Sequence, residues 1–188
     1  DVSLCYAGHT HCRWVAGQPA PVETIALTKS LNQGNVIQFW QTDEKLLKLA
    51  EASAKAGVYS MNIYAPDNPA VAKKLSALGK FWLGHDSGEI FGYRGDDAAA
   101  LENPTLKDIT DAFMRRVHEY VAQRHASGWG NVLSTGGDFS MDLQVAAGID
   151  IPLTEDYPFR NQLVSSALER GVARQYGLKI WGTHQAHE

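Results

Sequence analysis

The chain has 188 residues, of which 44% are hydrophobic and 20% charged, and its net charge is −4. That length suits one domain with a sizeable core. The mild charge excludes the electrostatic footprint of a nucleic-acid or membrane-surface protein, and no apolar run approaches the ~20 residues of a membrane helix.

Cys5 and Cys12 are the only cysteines. Two cannot define a redox compartment, and they read as free thiols. Residues 2–7 (Val-Ser-Leu-Cys-Tyr-Ala) read as a first strand, and residues 21–33 as an amphipathic helix. From there a signature recurs: an amphipathic stretch ends, a glycine follows, and a β-rich apolar run begins. It stands at Gly34 before residues 35–40, Gly57 before 58–64, and Gly79 before 81–83. It returns at Gly130 before 131–133, Gly148 before 149–151, and Gly177 before 178–181. A left-handed glycine is the common stop of a helix, and short helix-to-strand loops favour it.

The stretches between predict helices. Thr42 caps one bearing Leu46, Leu47, Ala50 and Ala54, and Asn68-Pro69 is a cap with a first-turn proline. Thr105 and Asp108 make a capping box for the longest helix, with Ile109, Phe113, Val117, Tyr120 and Val121 on one face. Asp138 or Ser140 starts the next. The last spans 159–176, with Leu163, Ala167 and Leu168 facing inward and Gly171 packed closely on the sheet.

Seven strands alternating with six helices imply a parallel sheet covered by helices. No Gly-x-Gly-x-x-Gly follows the first strand, so no dinucleotide fold is signalled and no cofactor is implied. The expected fold class is α/β, a (β/α)8 TIM-type barrel forming one domain over residues 1–188. Glu188 falls just after strand seven, so the barrel is expected to be truncated before its last βα unit, with its final strand absent.

In such barrels the active site lies where the strands end. Those ends present His9 and His11, Gln41 and Asp43, Asn62 and Tyr64. They continue with His85, Asp86 and Glu89, then Ser134 and Thr135, then Thr154, Glu155 and Asp156, and finally Thr183, His184, His187 and Glu188. The richest stretch is 79–95, an apolar run that breaks at Gly84 into ionisable residues framed by glycines. Glutamates follow strands four and seven, almost opposite each other in a ring of eight.

This arrangement resembles the retaining glycoside hydrolases with an acid/base glutamate after strand four and a nucleophilic glutamate after strand seven. The resemblance covers most of the chain as topology and few residues as motif. An asparagine commonly precedes the acid/base in that class, and Gly88 stands there instead. The resemblance implies a glycosidase acting on a poly- or oligosaccharide, with Glu89 as acid/base and Glu188 as nucleophile. Such enzymes are often exported. His9, Asn62, Tyr64, His85, Asp86, Glu155, Trp181 and His184 are the candidate substrate-binding residues. Trp14, Trp40 and Trp82 are further aromatics in or beyond strands that could stack on a sugar or belong to the core.

Two rival readings use the same barrel. His9-Thr10-His11 is a His-x-His at the end of strand one, where amidohydrolase-like barrels place two metal ligands. That family also places histidines after strands five and six, and here those places hold Ser134-Thr135 and Thr154-Glu155, so no bound metal is expected. The other rival is a sugar-binding barrel without catalysis.

Overall fold

The computed structural model describes residues 2–10, 23, 25, 26, 29, 30, 35–40, 43–63, 68–88, 101–135, 140–156 and 162–185. Seven strands form the sheet: β1 (Val2–Thr10), β2 (Val36–Phe39), β3 (Tyr59–Ile63), β4 (Trp82–Asp86), β5 (Asn131–Ser134), β6 (Ile151–Asp156) and β7 (Ile180–Gln185). The helices are α1 (Asp43–Ala56), α2 (Pro69–Ser76), α3 (Leu106–Ala126), α4 (Met141–Ala146) and α5 (Gln162–Gln175). Every strand pairs in parallel with the next, and β1 also pairs in parallel with β7, with Val2 opposite Ile180 and Cys5 opposite Thr183. The result is a closed parallel α/β barrel. The expected gap beside strand seven is not there: β1 and β7 supply each other's ladder, so the described strands close the ring at seven.

The helix stops work as the glycine signature implies. Gly57, at φ 74°, ends α1 and turns the chain into β3. At the start of α2 the Asn68 side chain accepts from the backbone N–H of Ala70 at 3.1 Å and Val71 at 3.4 Å. At the start of α3, Thr105 and Asp108 form the reciprocal capping box. Thr42, Asp138 and Phe159 lie outside the described residues.

Several strands run further than their apolar cores suggest. β1 reaches Thr10, β6 reaches Asp156 and β7 reaches Gln185, so His9, Glu155 and His184 belong to strands rather than to the loops beyond them. Parallel pairing explains this. Thr154 is opposite Thr183 across the ladder and Glu155 opposite His184, so the backbone ladder carries polar residues in the sheet.

The core has two layers. Inside the ring, Val36, Met61, Leu83, Leu133, Ile151 and Leu153 form one apolar cluster, with Tyr59 and Ile180 against it. Strands β2 to β7 each contribute to it. Each such side chain, fully buried, contributes about 1.5–3 kcal/mol. Between sheet and helices lie a cluster of Ile37, Phe39, Leu46, Ala50, Leu75, Trp82 and others, and a second of Phe113, Val117, Val121, Val132 and Ile149. Phe113, Val117 and Val121 are the inward face expected of the longest helix. Trp82 is a core residue of this outer layer, its indole N–H reaching the Trp129 carbonyl at 3.4 Å.

Helix α5 departs from expectation. Leu163 is 83% exposed and Leu168 42%, whereas Ser165, Glu169, Val172 and Ala173 are buried. The sheet-facing side is built around a polar anchor, so counting apolar residues selects the wrong face. Gly171 is also not closely packed: a Cβ there would meet nothing within 4 Å.

Candidate functional site at the barrel mouth

Strand β4 positions the site through a bulge. Trp82 belongs to the outer layer and Leu83 to the inner cluster. Strict alternation would then turn His85 inward and Asp86 outward. Instead, the register with β3 shifts between Ser60 and Met61, so that Trp82 pairs with Ser60 but Gly84 pairs with Met61. Gly84 absorbs the extra residue at φ 127°, which only glycine adopts readily. The Asn131 side-chain N–H donates to the Leu83 carbonyl at 2.9 Å and so satisfies an acceptor at the bulge. Beyond it Asp86 is paired with the inner Leu133, and His85 with the outer Val132. The strand therefore does not end at Gly84, as the sequence suggests; it continues through the bulge with its parity reversed.

Asp86 is fully buried inside the ring at the C-terminal end of the strands. Its Oδ2 accepts from the Gln38 side-chain N–H at 2.5 Å and from the Thr135 hydroxyl at 3.1 Å. Its Oδ1 accepts from the backbone N–H of Gly88 at 2.9 Å. Gln38 shares the inward parity of Val36 on β2, and Thr135 that of Leu133 on β5. A carboxylate is thus held by groups from two other strands and by its own following turn, on top of the apolar plug of Met61, Leu83 and Leu133. All three groups donate, which suits an ionised carboxyl that can only accept.

His85 is elsewhere. The structure places it in the layer between sheet and helices, where its Nε2 is 2.9 Å from the Tyr120 hydroxyl of α3. Burial, with the nearby Arg124 and His125 charges adding to it, pushes its pKa down to about 3, so the imidazole is neutral. The Arg124 guanidinium lies over the Tyr120 ring at 4.9 Å. Asn62 pairs with His85 across the ladder, is buried, and donates to the Ile63 carbonyl at 2.9 Å.

The remaining sequence candidates divide by position. His9 is opposite Gln38 in the β1–β2 register, so its backbone stands at the rim beside the Asp86 cluster. Glu155 and His184 are register partners near the ends of β6 and β7. Trp181 is the second residue of β7, half-buried and opposite Ser3, away from the rim. Glu89, Glu188 and Tyr64 lie outside the described residues. The structure brings in Gln38, which the sequence reading did not choose, and Thr135, which it placed at the end of strand five but not among the binding candidates. Gln38 had a signal: it is the one polar side chain in the run Val36-Ile37-Gln38-Phe39, at inward parity.

Other buried polar contacts support the strand ends from outside the ring. Glu169 of α5 accepts from the Thr154 hydroxyl at 2.8 Å and from the backbone N–H of Gly182 at 3.2 Å, tying the helix to both β6 and β7. Ser134 donates to the Gln144 side-chain oxygen, and Gln144 in turn donates to Ser140 at 2.9 Å. Among the described residues no three His, Cys, Asp or Glu side chains are grouped to hold a metal ion, and no helix is long and apolar enough to cross a membrane.

No protein-family model matches the chain, and no curated protein sequence matches it. Solved structures similar to it include a deoxyribose phosphate aldolase from Aeropyrum pernix, 15% identical, covering 93% of this chain and 74% of that one at a TM-score of 0.48. A truncated 3-deoxy-D-arabino-heptulosonate 7-phosphate synthase from Thermotoga maritima is 13% identical, covering 98% and 75% at a TM-score of 0.47. Streptococcus suis SuiB bound to S-adenosylmethionine is 8% identical, covering 97% and 47% at a TM-score of 0.45. None of the three is a glycoside hydrolase. The glycosidase expectation is therefore corrected: the proteins found are of other kinds, and what the chain itself establishes is a parallel α/β barrel with a buried carboxylate at its mouth.

Proposed function

We propose that this barrel is an acid–base enzyme acting on a hydroxyl-bearing small molecule, carbohydrate-like in its chemistry, at the C-terminal mouth of the ring. The observation that carries the reading is Asp86, a carboxylate buried inside the barrel and oriented by Gln38, Thr135 and the Gly88 N–H. A carboxylate fixed in this way accepts a hydrogen bond from a ligand hydroxyl and can take the proton from a carbon beside a ligand carbonyl, a proton that exchanges with solvent only slowly unaided; such assistance is worth about 10²–10⁴-fold in rate. The backbone positions of His9, Glu155 and His184 stand at the same rim, and Glu89, Glu188 and Tyr64 follow strands that end there. Asn62 and His85 support the strand ends from the outer layer, and Trp181 belongs to the barrel wall.

The test is a panel of free sugars, polyols and sugar acids, screened by ligand-observed NMR in deuterated buffer. Wild-type protein is expected to bind at least one member and to speed deuterium incorporation into it. Asp86→Asn keeps the size of the side chain but loses the proton acceptor, and should lower the exchange rate about 100-fold or more. Equal exchange in the variant and the wild type would overturn the reading.

A further inference from the structure

Among the described residues, the buried polar atoms without a hydrogen-bond partner include His85 Nδ1 and Ser87 Oγ, both on β4 or directly after it. Both residues are fully buried. They stand two apart, and the Ser87 N–H continues the β4–β5 ladder by donating to the Leu133 carbonyl at 2.9 Å. Residues i and i+2 of an extended ladder share a face, so Ser87 has the parity of His85 and lies on the α3 side of the sheet. A buried polar group with no partner loses about 1–3 kcal/mol, and native proteins resolve most such cases with an ordered water. Two of them as next neighbours on one face present one place where a single molecule satisfies both.

We propose that an internal water occupies the layer between β4 and α3, bonded to His85 Nδ1 and Ser87 Oγ. The Cα atoms of alternate strand residues are about 6.6 Å apart, a gap that a water closes with two bonds of about 2.8 Å as the ring nitrogen and hydroxyl reach toward it. The chemistry suits water better than an ion. A neutral imidazole nitrogen and a hydroxyl can each donate or accept, and water matches either role. The occupied site completes a line from Tyr120 through His85 and the water to Ser87, which sits between Asp86 and Gly88. Helix α3 is thereby coupled to the short turn whose N–H holds the Asp86 carboxylate. This inference does not depend on the enzymatic reading above.

A crystal structure at a resolution that shows single waters tests it directly, with the ring 15N signals of His85 as the solution readout. Expected is a density peak within hydrogen-bond reach of both atoms. In Ser87→Ala the water loses one partner, and the His85 Nδ1 signal should shift while the Nε2 signal, held by Tyr120, stays. A dry site in a map that resolves other internal waters would overturn the proposal. So would a direct Ser87–His85 hydrogen bond, or ring signals identical in wild type and Ser87→Ala.

Discussion

The carbonyl oxygen of Asn131 stands where a side chain on residue 84 would begin: a Cβ built on Gly84 falls 2.0 Å from it. Backbone cannot move aside as the tip of a flexible side chain can. Gly84 also has a φ of 127°, which strains any other residue. The same glycine makes the bulge that turns Asp86 into the barrel. Gly84→Ala is therefore expected to destabilise by about 3–5 kcal/mol, in the range reserved for steric conflict and strained backbone. Urea denaturation measures it, and a loss below about 1 kcal/mol would show that β4 rearranges freely and that the bulge does not fix Asp86.

His85 should make the fold sensitive to mild acid. Its pKa is about 3 in the folded chain against 6.5 for an unperturbed imidazole. Between those values the unfolded chain binds a proton that the folded chain refuses. The stability contribution is complete above pH 6.5, is lost progressively as the pH falls toward 3, and changes no further below that. From pH 7 to pH 4.5 the loss is about 2–3 kcal/mol from this group. His85→Gln does not titrate and can still bond Tyr120, so its stability should fall less steeply over the same window. Parallel curves for the two proteins would remove His85 as the cause.

Glu169 offers a test of how β6 and β7 are held. Its two oxygens accept from different strands, Thr154 on one side and Gly182 on the other. Glu169→Gln keeps one acceptor oxygen and turns an N–H group toward the other donor. A cost of about 1–3 kcal/mol is expected. Amide exchange should quicken at Gly182 more than in β2 and β3. Uniform exchange across the sheet would argue that the helix contact is incidental.

Exposed α5 positions should behave in the opposite way. Leu163, at 83% exposure, touches solvent rather than the sheet, and Leu163→Ser should change stability by no more than about 0.5 kcal/mol. A loss near that of a buried leucine, about 2–5 kcal/mol, measured by the same denaturation, would mean that the helix packs through the face its leucines suggest.

These contrasts show where the sequence is readable. The helix-glycine-strand rhythm is a local signal, each element carrying its own cap or stop, and it leads to the parallel barrel without knowledge of any long-range contact. The inward side of α3 is legible for the same reason, since Phe113, Val117 and Val121 recur at helical spacing. Three things depend on distant partners and are not. The parity of His85 and Asp86 is set by a bulge that also needs Asn131. The inward face of α5 is set by Thr154 and Gly182, which make a glutamate the buried residue. The ends of β6 and β7 are set by their mutual ladder, not by apolar content. Gln38 could have been chosen from its strand alone, whereas Thr135 becomes significant only once Asp86 is known to turn inward.

The pairing of β1 with β7 has a kinetic consequence. Strands β2 to β7 each meet their predecessor across a single connection, the longest running from Asp86 to Asn131, but Val2 meets Ile180 only when nearly the whole described chain has been gathered. Closing a loop costs about 0.6 kcal/mol more for each doubling of its length, and contacts of long sequence separation slow folding. The consecutive βα units are expected to assemble first and the final seam last. In pulse-labelled refolding, amides of β3 and β4 should become protected before those of β1 and β7, so that the ring exists briefly as a curled sheet waiting for its two ends.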